Sequence, residues 1–341
     1  MAWEKWKRFA RMFRPRIHTL VGVDFGHGAV KVAEVSLAGD RPYLKTFAMV
    51  DAVEEYETEP ETPAGDQTVD TDRLTEQLAR ALSLSGAHAR HAVLSVGGRT
   101  VFVREVPFPR LAPDELSEAI KWEIPKYVPY EPDSYEFDYA ITGQDARTGD
   151  LRVLVVAAPK QVVRGLVQVA RRAGLQPVAV DIEPLAVYRT LTGAENALIV
   201  NIGATSTQLA LFQQGNPVFT RVVPISGGRI SPALSEVASA AAGKTGNPAG
   251  FAEEIGQEIR RTAQFLSRQN NQTLIEKLVV TGVANVAGLA RQLEQTTELP
   301  VIGHNPLAYM DLRPSIAPGY AEDMGPQLAV AVGLAMRGDE P

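Results

Sequence analysis

The 341-residue chain contains no cysteine, and it contains only five histidines. Without thiols the protein cannot form disulfide bonds, thiolate zinc sites or iron–sulfur clusters, and it cannot use a cysteine nucleophile. His88 and His91 are three residues apart, but no third ligand has a matching spacing, so the histidines do not indicate a metal site. No Ser-His-Asp arrangement is indicated either. Several classes of metalloprotein and hydrolase are therefore excluded.

Long apolar runs are also missing from the sequence. The longest uncharged stretch, residues 196–220, is interrupted throughout by Asn, Gln, Thr, Gly and Pro. A membrane-spanning helix needs about 18 or more mainly apolar residues. We therefore expect a protein that is not integral to a membrane.

Charge is distributed unevenly along the chain, whose formal net charge is −6. Residues 1–16 carry a charge of +5, which leaves −11 on the remainder. A body this acidic predicts no nucleic-acid partner. In residues 1–18 basic and aromatic side chains alternate, which is typical of an amphipathic arm that contacts an anionic membrane surface. The pattern leaves open that the arm docks on its own domain or frays.

A glycine-bearing turn joins the first two predicted strands, which lie near residues 20–23 and 29–37. Glycines allow a backbone to approach closely and to aim its N–H groups at an anion. Asp24 ends the first strand, where a carboxylate can hold Mg²⁺ through water molecules. Lys31 on the returning strand can reach a phosphate. Taken alone, the same residues also describe an ordinary hairpin with charged flanks.

The pattern of strand, polar residue, glycine turn and returning strand recurs about 177 residues later, with Asn201 at the position of Asp24. A third strand, near residues 277–281, leads through Gly282 into a helix predicted from about Asn285, and a helix N-terminus is a suitable wall for a nucleotide. Such internal duplication indicates two similar lobes that face each other. Between the repeats, residues 51–72 hold nine acidic and no basic side chains, which predicts a solvated loop.

Together these motifs resemble the actin, sugar kinase and Hsp70 group of two-lobed ATP-binding proteins. The first phosphate loop of that group has an aspartate, glycines two and four residues later, and a lysine seven later. Here those positions are Asp24, Gly26, Gly28 and Lys31. Residues 201–207 are similar to the second phosphate loop, Gly282 to the adenosine loop, and residues 181–188 and 326–336 to the helices that connect the lobes.

Within that group the sequence resembles the PilM family of type IV pilus assembly proteins, which is related to the cell-division protein FtsA. The resemblance spans about residues 17–336 and is carried by ELSEAIKWEIPKYVP (115–129), VVAAPK (155–160) and AGLQPVAVD (173–181), with REVP (104–107) and EIRR (258–261). It implies an α/β, two-lobed actin-like ATPase fold of the FtsA/PilM type with an inserted 1C subdomain. The implied domains are a basic arm (1–18), subdomain 1A (19–88, 177–192 and 320–337), subdomain 1C (89–176) and a nucleotide-binding second lobe, 2A/2B (193–319).

The resemblance also implies that ATP and Mg²⁺ bind between the lobes, with Asp24 holding Mg²⁺ through water. The nucleotide-binding residues that it implies are Asp24, Gly26, His27, Gly28, Ala29, Lys31, Gly203, Ala204, Thr205, Ser206, Thr207, Glu258, Arg261, Gly282, Val283 and Asn285. Two positions depart from the family pattern. Many relatives have aspartate where Asn201 stands, which predicts weak or no ATP hydrolysis, because an amide cannot orient water as a carboxylate does. Val283 stands where relatives often have a second glycine.

PilM-like proteins bind the N-terminal cytoplasmic peptide of PilN and link the PilN/PilO inner-membrane platform to the cytoplasmic motor. The resemblance therefore implies a cytoplasmic adaptor, peripheral to the inner membrane, with its peptide groove on the 1C side. Contact with the motor ATPases, self-association and membrane contact through residues 1–16 are left open. Two alternatives remain: an active ATPase or phosphotransferase of the same fold, and an FtsA-like membrane-tethered filament protein.

Overall fold

The computed structural model describes residues 17–51, 69–145, 147–193, 196–229, 248–269, 275–283 and 288–338. The predictions for the basic arm, for most of the acidic loop and for Asn285 lie outside these residues. None of the helices described is both long and apolar enough to cross a membrane.

The described chain forms fourteen strands and eight α-helices. The strands are β1 Thr19–Phe25, β2 Ala29–Ser36, β3 Tyr43–Asp51, β4 His91–Val96, β5 Phe102–Phe108, β6 Tyr135–Gln144, β7 Leu151–Pro159, β8 Gln176–Ile182, β9 Ala197–Ile202, β10 Thr207–Gln213, β11 Asn216–Val223, β12 Lys277–Gly282, β13 Val301–Gly303 and β14 Asp311–Leu312. The helices are α1 Thr71–Ser85, α2 Pro113–Glu123, α3 Lys160–Arg172, α4 Glu183–Arg189, α5 Pro248–Gln269, α6 Leu289–Thr297, α7 Pro318–Met324 and α8 Ala329–Ala335.

Two of the three sheets repeat one topology. The first has the order β14-β3-β2-β1-β4-β8 and the second the order β11-β10-β9-β12-β13. In each, three antiparallel strands lead into two parallel ones: β3-β2-β1 into β4 and β8, and β11-β10-β9 into β12 and β13. The repeat seen in the sequence is therefore a repeat of whole sheets, and each glycine turn joins corresponding strands of its own lobe.

The third sheet, with the order β5-β7-β6, lies between β4 and β8 in the chain. Its core forms under α2 and the turn after it, where Leu116, Ile120 and Ile124 are buried in one cluster with Val153 and Val155 of β7. This arrangement follows from the helical spacing of the three apolar residues and from the start of α2 at Pro113, which suits a first turn.

Two of the predicted domain ranges include strands or helices that pair or pack with the first lobe. The range 89–176 includes β4, which is an inner strand of the first sheet, and α3, which packs on α1 in the core of the first lobe. The range 193–319 includes β14, which pairs with β3 of the first sheet. We therefore propose that the inserted subdomain starts after Val96 and ends at Pro159.

Helices α4 and α8 join the two lobes through one shared core. That core contains Leu20 and Ala33 from the first sheet, Ile199 and Phe212 from the second, and every residue of α8. A side chain at Gly22 would place its Cβ 1.8 Å from the carbonyl oxygen of Ala331, and one at Gly333 would lie 1.8 Å from that of Ala186. Only glycine permits these two backbone contacts, which bring α8 against β1 and α4.

His304 adds a buried polar contact between the second lobe and the end of α4. Its Nε2 lies 2.7 Å from the hydroxyl oxygen of Thr190, whose own hydrogen is donated to the carbonyl of Val187 at 2.7 Å. This pattern assigns the proton to Nε2, which donates to Thr190, and the residue is 5% exposed. Burial lowers the pKa of His304 to about 4.

Because His304 is buried, it makes the free energy of unfolding depend on pH, and His304→Gln removes that contribution. Between pH 4 and the ordinary histidine pKa of 6.5, the unfolded chain binds a proton that folded His304 does not, so stability falls as pH falls. We expect the advantage of the wild type over His304→Gln in free energy of unfolding to shrink by about 1–3 kcal/mol between pH 7.5 and pH 4.5. Urea denaturation across this range measures it, with the exposed His18→Gln as control. Parallel curves for the wild type and His304→Gln would contradict the prediction.

Candidate functional site

The two glycine turns face each other across a cleft of about 790 Å³, a volume that includes space open to solvent. Twelve of the sixteen predicted site residues line this cleft. They are Asp24, Gly26, His27, Gly28, Ala29, Lys31, Gly203, Ala204, Thr205, Ser206, Gly282 and Val283. Pro326, Gln327 and Val330, from α8 and the turn before it, also line the cleft.

An ion pair lies at the bottom of the first turn. Nζ of Lys31 donates to Oδ2 of Asp24 at 3.0 Å, and the two residues face each other in the β1–β2 ladder. Asp24 is buried, whereas the side chain of Lys31 keeps 19% of its surface exposed. The hydroxyl of Ser95, on the parallel strand β4, approaches Oδ1 of Asp24 at 3.4 Å. A carboxylate that is held in place and a cation that reaches solvent therefore open into one cleft.

The two turns approach so closely that one position has no room for a side chain. A Cβ at Gly28 would lie 2.4 Å from Cβ of Ala204 in the opposite turn. The second turn is held by backbone bonds from Gly203 N to Ser206 O and from Gly227 N to Gly203 O, both 2.9 Å long. At the end of β12, Gly282 has φ +82°, which glycine adopts freely. At Gly28, Gly203 and Gly282 a Cβ would collide with neighbouring atoms, so these positions present only backbone to the cleft.

Glu183 is a cleft residue that sequence analysis did not identify. It begins α4 at the end of β8, and its carboxylate occupies the space that a side chain at Gly97 would need. Burial and the negative charge of Asp24 raise the pKa of Glu183 to about 7, against the opposing charge of Lys31. The topology contained the signal, since β1, β4 and β8 are parallel neighbours and their carboxyl ends share one edge of the sheet.

His27 and Asn201 modify the chemistry of the two turns. His27 is exposed at its surface, but the protein atoms around its ring desolvate it and lower its pKa, while the nearby Asp24 carboxylate opposes that shift. Asn201, opposite Gln208 in the β9–β10 ladder, contributes an amide to the cleft where the first turn has Asp24. Gln208 also lines the cleft, and it too was missed by sequence analysis.

Four of the predicted residues are not among those that line the cleft. The hydroxyl of Thr207 is buried and donates to the carbonyl of Ile225 at 2.8 Å. Glu258 and Arg261 pair with each other on α5, and Glu258 also pairs with Arg221 of β11 at 3.2 Å. Asn285 lies outside the described residues.

The fold and the cleft can be compared with known proteins. The model of the family described as "Type IV pilus assembly protein PilM" matches residues 22–238 and 247–339. A solved structure of a PilM-PilN type IV pilus biogenesis complex is 26% identical, covers 96% of this chain and 100% of that chain, and gives a TM-score of 0.77. The ethanolamine utilization protein EutJ from Carboxydothermus hydrogenoformans gives 0.50 at 16% identity, covering 95% and 90% of the two chains.

Sequence similarity extends to the cell division protein FtsA of Bacillus subtilis (strain 168), which is 23% identical over 195 residues. That match includes 49% of this chain and 44% of the length of FtsA. The predicted two-lobed actin-like fold of the FtsA/PilM type is confirmed by these similarities and by the duplicated sheets. Since the family match includes most of its length, the chain belongs to the family of type IV pilus assembly protein PilM.

Proposed function

We propose that the protein binds ATP with Mg²⁺ in the cleft between its lobes and acts as an adaptor in type IV pilus assembly. The observation that carries the ATP proposal is the convergence of the two glycine turns on the Asp24–Lys31 pair. Glycine positions that a Cβ would fill leave backbone amides close to the cleft, and such amides suit phosphate oxygens. Actin-like folds of this type commonly hold a nucleotide between their lobes, which agrees with this chemistry.

Each part of the cleft suits a different part of Mg²⁺-ATP. The turns at 26–28 and 203–206 would hold the phosphates together with Lys31, while the buried Asp24 carboxylate would hold Mg²⁺ through water. When bound, Mg²⁺ neutralises phosphate charge. Gly282, Val283 and Gln327 lie in the same cleft and would face the nucleoside. Lys31 is paired with Asp24, so a bound phosphate would compete with the Asp24 carboxylate for the ammonium group of Lys31.

The adaptor proposal names the N-terminal cytoplasmic peptide of PilN as partner, and the PilN/PilO platform as the attachment to the inner membrane. It is supported by family membership and by the similarity to a structure that contains PilM and PilN together. In this proposal the protein is cytoplasmic and peripheral to the membrane.

A second cavity suits an extended peptide. It lies between β5 of the inserted subdomain and β11 of the second lobe, which are the outer strands of their sheets. Its walls include the apolar side chains of Val101, Val103 and Pro184, with Arg221 as a cation. Outer strands offer backbone groups to an extended peptide, and apolar pockets add specificity. Gly98, Gln208 and Val222 line both this cavity and the ATP cleft, so lobe closure would change both.

Glu183 favours a second candidate function, ATP hydrolysis. The Glu183 carboxylate lies in the cleft and has a pKa of about 7. A group with a pKa near neutrality suits general base catalysis. Asn201 still argues against fast turnover, because its amide cannot replace a second carboxylate.

Removal of either member of the ion pair should weaken nucleotide binding. We expect Lys31→Ala and Asp24→Ala to lower the affinity for Mg²⁺-ATP more than tenfold, a loss beyond about 1.4 kcal/mol. Lys126→Ala, which removes an exposed lysine paired with Glu123, should leave the affinity unchanged. Titration calorimetry measures the affinities, and circular dichroism verifies folding. Wild-type affinity in both folded cleft variants would refute the site.

Phosphate release separates the two candidate functions. For an adaptor that ATP holds closed, overnight incubation of the wild type with Mg²⁺-ATP should release less than about one phosphate per protein. Steady turnover that disappears in Glu183→Gln, while that variant still binds Mg²⁺-ATP, would instead establish an ATPase with Glu183 as its base.

A substitution in the second cavity should affect peptide binding alone. We expect Val103→Glu to lower the affinity for a synthetic PilN N-terminal peptide at least tenfold, because it places a charge on an apolar wall. Val178→Glu, at an exposed position of β8, is the matched control. Fluorescence anisotropy of a labelled peptide measures binding, and retained Mg²⁺-ATP affinity verifies the fold. Equal peptide affinity in both variants would show that the peptide binds elsewhere on the protein.

A further inference from the structure

Strand β6 has an outer edge that no other described strand pairs with. It is the last strand of the β5-β7-β6 sheet, and its ladder with β7 is regular from Tyr135 to Ile141. Phe137 and Ile141 lie on the face that α2 covers, yet they are 37% and 54% exposed. A long outer strand with exposed apolar side chains is a site where another strand can add.

The edge is protected by a local hydrogen bond. The backbone N–H of Tyr139 donates to Oδ1 of the preceding Asp138 at 2.8 Å. This bond indicates that the N–H groups of the odd-numbered residues point away from β7, since an amide in the ladder would donate to the neighbouring strand. Phe137, Tyr139 and Ile141 would therefore offer both backbone groups to an added strand.

We propose that β6 pairs antiparallel with β6 of a second copy of this chain, about a twofold axis at Tyr139. In that register Phe137 of one copy lies opposite Ile141 of the other, twice, and Tyr139 lies opposite itself. All three are residues whose backbone groups point outward, so they form the hydrogen-bonded pairs of the new ladder. The two exposed apolar side chains of each copy become cross-strand partners, which stabilises the pair.

Charge selects a second copy and this register. On the opposite face Asp138 meets Ala140, so no carboxylate faces another. A register centred on residue 138 would place Asp138 opposite itself, and one centred on 137 would place it opposite Glu136. Like charges directly opposite each other destabilise a sheet. The register centred on Tyr139 avoids both clashes and also pairs Phe137 with Ile141, so β6 is complementary to itself and a second copy is the partner that its sequence fits.

The geometry limits the paired segment to residues 137–141. The ladder with β7 shifts between Ile141 and Gly143, and the carbonyl of Thr142 accepts a bond from Nδ2 of Asn216 at 3.4 Å. At the other end Glu136 pairs with Arg164 of α3 at 3.5 Å. Five paired residues bury little area, so the dimer is weak and forms at roughly micromolar concentrations or above.

Sedimentation equilibrium of the full-length chain over a range of concentrations tests this dimer. The wild type should show a monomer–dimer equilibrium, and Ile141→Lys should raise its dissociation constant at least tenfold. Ile302→Lys is the matched control, since Ile302 is 47% exposed on β13 in the other lobe. It should leave the dissociation constant unchanged. A monomeric wild type at roughly 100 µM, or a dimer that Ile141→Lys does not weaken, would overturn the proposal.

A second variant acts in the opposite direction and protects the test against misfolding. Asp138→Ala removes the carboxylate that occupies the N–H of Tyr139, so it should lower the dissociation constant of the dimer several-fold. A gain in association cannot come from a failure to fold, provided that circular dichroism shows the wild-type spectrum. An Asp138→Ala variant that associates no more tightly than the wild type would contradict the proposed edge.

Discussion

The structure depends on one close packing of backbones, that of α8 between β1 and α4. At Gly22 and at Gly333, a Cβ would lie 1.8 Å from a carbonyl oxygen of a neighbouring element. Because these two residues have no side chains, α8, which is buried along its whole length, can join the two sheets into a single core. The cleft between the two glycine turns adjoins this shared core, since Val330 of α8 belongs to both.

The chemistry of the cleft follows from this arrangement. Each sheet carries its glycine turn at the edge that faces the other lobe, so the turns meet where Gly28 approaches Ala204. The lobes are similar in topology but differ in charge, since Asp24 and Lys31 stand in the first turn and Asn201 and hydroxyl residues in the second. One side can therefore bind a cation while the other donates hydrogen bonds. Closing around a polyanion would draw both together, and the adjoining β5–β11 cavity would report that closure to a peptide partner.

Most of the lobe architecture could be predicted from sequence, because the signals are local. Apolar strands that flank a glycine turn can be recognised from a short stretch of sequence, as at residues 20–31 and 197–212. Glu183 could not be found in this way, since it reaches Asp24 only through the parallel order of β1, β4 and β8. β14 has two residues and no pattern of its own, so its place in the first sheet depends on tertiary pairing alone. The limits that we propose for the inserted subdomain differ from the predicted ones for the same reason, because β4 and α3 have the local pattern of either unit.

The central claim is that nucleotide binds between the two glycine turns. A crystal structure of the protein grown with Mg²⁺ and a non-hydrolysable ATP analogue tests it most directly. The account predicts the triphosphate between residues 26–28 and 203–206, with Lys31 at a phosphate and the metal ion on the Asp24 side. A cleft without nucleotide at saturating concentrations of the analogue, or a nucleotide bound elsewhere on the molecule, would contradict it.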